Sequence, residues 1–129
     1  MITETLQAAC AGLMFPSESE FPLDVFTWKD DAADLDERTA LRLSGHPAQT
    51  PIERVDLDEF FKTVVEDQDW HGEVEKEQAR KFRNLLHVLK DSLSDLRAFR
   101  AGTIEIDVYI AGRSAPGEWI GVQTKIIET

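Results

Sequence analysis

Glu18 and Glu20, in the stretch FPSESEFP at residues 15 to 22, are the first groups along this chain that could do chemistry. They stand two positions apart among serines, bracketed by Phe-Pro pairs. Two neighbouring carboxylates can divide acid and base work when their environments push the two pKa values apart. No apolar run lies beside them to do so, and Pro16 and Pro22 bar a regular helix or a central strand. The same loop suits a second purpose, because carboxylates held between prolines can enter a basic cleft at small ordering cost. Its composition fits a plain solvated loop equally well.

The other candidates are weaker. A hydrolase needs a nucleophile with a base in reach, or a metal cage. His46, His71 and His87 are dispersed over a loop, a helix entry and a long helical pattern, and the chain has no HExxH, paired cysteines, Walker loop or GxGxxG. Cys10 is the single cysteine, so it makes no internal disulfide, and it falls on an apolar stripe. The acidic tetrapeptide DLDE occurs at 34–37 and again at 56–59, which resembles a pair of metal loops. Helix capping accounts for it better: the first Asp of each accepts from free backbone N–H groups, and acidic residues suit the positive end of the helix dipole. We expect no catalytic residue, no metal site of the chain's own, no cofactor and no enzymatic activity.

The elements that must carry these residues fit one domain, 1–129, since 129 residues with 42% hydrophobic content support a single core. With 25 acidic and 14 basic side chains the net charge is −11. Such a surface repels nucleic acid and anionic membrane and attracts basic partners. LQAACAG around Cys10 is no lipoprotein signal, because no Lys or Arg precedes Lys29 and Gln7 stands where an aliphatic residue belongs. The uncharged run from Thr5 to Ser17 is too short to span a bilayer. The expectation is a cytoplasmic protein, monomeric when free, that touches neither membrane nor nucleic acid.

Periodicity predicts helices over 3–14, 35–44, 57–66 and 74–98, the last from Phe82, Leu85, Leu86, Leu89, Leu93 and Leu96. Gly45 ends the second of these, and Pro47 and Pro51 keep it from resuming. Arg80, Lys81, Arg83 and Lys90 lie among Glu73, Glu75 and Glu77, a solvated face with local ion pairs. Val25 to Trp28 predict an internal strand. From Thr103 the period becomes two, with Ile104, Ile106, Val108 and Ile110 on one face, and a turn leads into a strand from Trp119 to Ile127. Helices around a small sheet make a mixed α/β layered domain. Trp28 and Trp119 are expected to be structural.

Five strings in order, GLMFPSESEFPLDVFTW, VDLDEFF, DQDW, EIDVYIAG and TKIIET, closely resemble the nuclease A inhibitor family over nearly the whole chain. The segment from Lys29 to Pro51 departs from the family pattern. The resemblance implies an α/β/α sandwich of the PR-1 type with a small mixed or antiparallel sheet. It also implies a partner, a sugar-non-specific endonuclease of the ββα-metal class that the protein binds and blocks. Matched by motif, the first glutamate of the SESE loop is Glu18, the tryptophan of the QDW string is Trp70 and the terminal threonine is Thr129. In the family these regions face the nuclease active site, and the C-terminal carboxylate approaches the catalytic magnesium of the partner. Glu18 would then be a phosphate surrogate, Glu20 would orient the loop, and Trp70 would be an interface anchor. The alternative is an acidic interaction module for another basic protein.

Overall fold

Asp36 and Asp56 start two helices by the same local chemistry: one carboxylate accepts from the Thr39 amide at 2.8 Å, the other from the Glu59 amide at 3.0 Å. The computed structural model describes residues 2–16, 18–29, 34–66, 72–115 and 118–128. In chain order its elements are α1 (Ile2–Cys10), β1 (Met14–Phe15), β2 (Phe21–Pro22), β3 (Asp24–Lys29), α2 (Glu37–Ser44) and β4 (Ile52–Val55). Then follow α3 (Leu57–Val65), α4 (Glu73–Ser92), β5 (Ser94–Ala101), β6 (Glu105–Ala115) and β7 (Glu118–Ile127). The fold among the described residues is mixed α/β, with four helices and two antiparallel sheets.

The second DLDE caps as expected, through its first Asp, but the first does not. There the cap is Asp36, and Asp34 instead pairs with Arg97 at 3.1 Å, because α2 begins only at Glu37. Gly45 closes α2 in the left-handed region at φ 83°, its amide donating to the Arg42 carbonyl.

β1 and β2 form a two-stranded ribbon, and the other five strands lie in the order β3-β7-β6-β5-β4. β3 is therefore an edge strand, which corrects the expectation that it is internal. The long helix is also shorter than its leucine spacing predicts. It stops at Ser92, and residues 94–101 are the strand β5. Leu93 and Leu96 keep helical spacing, but Ser92, Ser94 and Asp95 are weak helix formers, and Asp95 takes φ 53°. Beyond it the strand finds partners on both sides, β4 and β6.

Both faces of the five-stranded sheet are covered. Ile106, Val108, Ile110, Ile120 and Val122 pack with Leu6, Phe61, Phe82, Leu85 and Leu89 from α1, α3 and α4. Alternate residues Phe99, Tyr109, Ala111 and Trp119 pack with Trp28, Leu35, Ala40 and Leu41 on the other face. Trp28 and Trp119 are thus core residues. This double covering buries Tyr109, which alternation alone would place on a polar side. Ile104, expected inside the strand, lies in the turn before β6 and is 57% exposed.

Candidate partner-binding edge

Phe15 anchors the acidic loop from below. Its ring stacks on Phe60 at 4.8 Å and meets Phe82 edge to face at 5.7 Å, contacts that each contribute about 0.5–1.5 kcal/mol beyond the area they bury. The far side of the loop is held by Thr124, nearly buried in β7, whose hydroxyl reaches the Pro22 carbonyl at 3.0 Å and the Phe21 carbonyl at 3.4 Å. The ribbon pairs Met14 with Pro22 and Phe15 with Phe21, so Pro22 does enter a strand, but one only two residues long. Between the anchors, the Glu18 amide donates to the Ile127 carbonyl at 3.4 Å.

The acidic loop is thereby joined to the end of β7. Glu18 lines a shallow concavity of about 520 Å³ with Glu59, Phe60, Arg100, Ile127 and Glu128. Glu20 is exposed and is absent from that lining, so the two glutamates occupy different surroundings. Trp70 and Thr129 lie outside the described residues, as does His71. Glu128, next to Thr129, is fixed twice: its amide donates to the Ile104 carbonyl at 3.0 Å, and its carboxylate forms an ion pair with the Arg100 guanidinium at 2.6 Å.

Sequence reasoning missed Thr124, Arg100, Glu59 and Glu53 as parts of this edge. In the sequence Glu59 belongs only to the second DLDE cap. A period-two reading of SDLRAFRA would have put Arg100 on the same sheet face as Ala98, toward the loop.

Nε2 of His46 lies 3.0 Å from the Tyr109 hydroxyl and 3.0 Å from Asp107, tying the α2–β4 connection to the opposite sheet face. Burial, with the Asp107 carboxylate adding to it, pushes the Tyr109 phenol above its ordinary range. The Ser44 hydroxyl donates back to the Ala40 carbonyl at 2.7 Å within α2. His87 is exposed on α4. Cys10 is buried, and burial first, then the nearby Asp24 charge, raises its thiol to about 11. On α4, Glu77 pairs with Arg80, and Lys90 with Asp58 of α3. Among the described residues no group of three or more His, Cys, Asp or Glu is placed to hold a metal ion. No described helix is long and apolar enough to cross a membrane.

Among the described residues, the acidic loop, α3, β5 and the end of β7 thus meet at one edge. The family model of nuclease A inhibitor-like proteins matches residues 1–129, and the chain belongs to that family. Among curated proteins none matches it significantly.

Proposed function

We propose that this protein inhibits a sugar-non-specific, metal-dependent endonuclease by laying the edge formed by the Glu18 loop and the end of β7 into the nuclease active site. It hydrolyses nothing itself. Family membership supports the inhibitor reading, and the observation that carries the mechanism is the Glu18–Ile127 backbone contact, which marks where loop and last strand meet as one surface. A nuclease grips phosphate with basic groups and a hard cation, so an anionic edge is attracted to the same cleft. Glu18 stands in for a substrate phosphate, Glu20 orients the loop from outside the concavity, Trp70 anchors the interface, and the Thr129 carboxylate approaches the partner's metal ion. The two covered sheet faces support an α/β/α layering of the PR-1 type for the fold. Calorimetric titration into a purified, Mg²⁺-loaded, sugar-non-specific endonuclease, with and without a saturating oligonucleotide analogue whose linkages the enzyme cannot cleave, tests the reading. Binding should occur and be lost when the oligonucleotide fills the active site. Binding that the oligonucleotide leaves intact would place the contact elsewhere and favour a general acidic interaction module.

A further inference from the structure

Arg100 is a cation in the middle of an edge whose proposed partner is basic. It is the one basic residue among the described residues lining the Glu18 concavity, and it also lines the adjoining hollow with Glu53, Gly102, Thr103 and Glu128. Steering toward a basic cleft would be served better without it, so its place there needs another reason. The geometry supplies one. Nη2 reaches the Glu128 carboxylate at 2.6 Å while Nη1 lies 3.7 Å from Glu53, directly across the β4–β5 register. The Arg100 side chain is 24% exposed, whereas those of Glu128 and Glu53 are 54% and 64% exposed. The guanidinium is therefore the seated member of the group; it holds the Glu128 carboxylate directly, while Glu53 stands beyond hydrogen-bond distance. Its planar, rigid fork fixes the direction of the Glu128 carboxylate, which a lysine ammonium does less well.

The backbone completes the hold. The Glu128 amide donates to Ile104 in the β5–β6 turn, and Gly102 keeps that turn tight at φ 117°, where an added Cβ would lie 2.3 Å from the Glu105 carbonyl oxygen. One residue back, the Ile127 carbonyl accepts from Glu18. We propose that Arg100 is a positioning residue: by gripping Glu128 it fixes the end of β7, and with it the height of the Glu18 loop, before any partner arrives. Its use for binding rests on the inhibitor reading above. An edge ordered in advance loses less freedom on association, and the gain appears mainly in slower dissociation.

Two measurements on Arg100→Met, Arg100→Lys and the wild type test this. The first is amide hydrogen exchange in the free protein, which requires no nuclease. Arg100→Met should speed exchange at Glu128 and Glu18 by about tenfold or more while Val108 and Ile120 in the sheet centre stay as protected as before. Arg100→Lys should fall between. The second is the kinetics of binding to a Mg²⁺-loaded, sugar-non-specific endonuclease. Arg100→Met makes the protein one charge more negative, so a purely electrostatic role predicts faster association and unchanged dissociation. Positioning predicts dissociation faster by about tenfold. If Arg100→Met fails to fold, Glu128→Gln should show the same direction at smaller size. Unchanged exchange at Glu128 would overturn the positioning role whether or not the protein inhibits a nuclease. Faster exchange with unchanged dissociation would overturn its use in binding. A wild type that binds no such nuclease would defeat the inhibitor reading instead, and the exchange result would still decide what Arg100 holds.

Discussion

The Glu18 amide and the Ile127 carbonyl, near opposite ends of the chain, meet at 3.4 Å. A bond of that length is weak, and the loop does not hang on it alone. Phe15 under Phe60 and Thr124 against Pro22 hold the two ends of the loop, so the bond marks the alignment that those stronger contacts impose. The consequence is that Glu18 faces the end of β7 while Glu20 lies outside their shared concavity.

Glu18→Gln should therefore weaken inhibition far more than Glu20→Gln, with both variants folding normally. Losing a charge from a desolvated, hydrogen-bonded contact typically costs about 2–5 kcal/mol, against little at an exposed rim. Inhibition constants for the two variants, with circular dichroism to verify the fold, measure the difference. Equal and small losses would return the loop to a merely solvated one.

The carboxylate of Thr129 should matter through its charge and position. A terminal carboxylate stays ionised near neutral pH, and Mg²⁺ in a nuclease keeps exchangeable oxygen sites. Amidating the terminus, or appending a few glycines, should weaken binding to the metal-loaded nuclease more than to the metal-free form, with the melting temperature nearly unchanged. Parent-like affinity of both variants in Mg²⁺ would exclude this role.

Asp36→Ala should destabilise the fold by about 1 kcal/mol at neutral pH through loss of the α2 cap. Hydrogen bonding from Thr39 holds the Asp36 carboxyl below its usual range. A depressed folded-state pKa means that the stabilisation is present above the unfolded-state value and disappears as pH falls through the lower folded-state value. Urea denaturation of both proteins from pH 7 down to pH 2.5 should show their stabilities converging at the acid end. A constant gap would mean that the cap acts without its charge.

Cys10 should be nearly inert in the native protein. With its thiol raised to about 11, the thiolate fraction at pH 8 is about one part in a thousand, and burial blocks access besides. Native alkylation by iodoacetamide should run at least about a hundredfold slower than in denaturant, where the thiol has its ordinary pKa. Comparable rates would show that α1 opens readily.

Much of the architecture was legible because single elements carry their own signals. Leu85 and Leu89 lie on a strong apolar stripe and are fully buried, Gly45 ends α2, and the period-two run from Ile106 to Ile110 is a strand. What failed was pairing across the chain. Leu93 and Leu96 continue the helical spacing, which predicts helix as far as Ala98, whereas pairing with β4 and β6 makes Ser94–Ala101 a strand. β4 itself is four residues long with only Ile52 and Val55 apolar, too little pattern to stand out. The candidate site follows the same division: Glu18 is conspicuous between prolines, whereas Arg100 and Thr124 acquire their roles only from strands that sequence distance separates from the loop.

The most direct test of the central claim is titration of the purified protein into a sugar-non-specific, Mg²⁺-dependent endonuclease with plasmid DNA as substrate. Cleavage should fall in proportion to added protein and vanish near one equivalent, while the protein alone leaves the plasmid intact at every concentration. Undiminished cleavage in stoichiometric excess, measured against the cognate enzyme of the same cell, would contradict it.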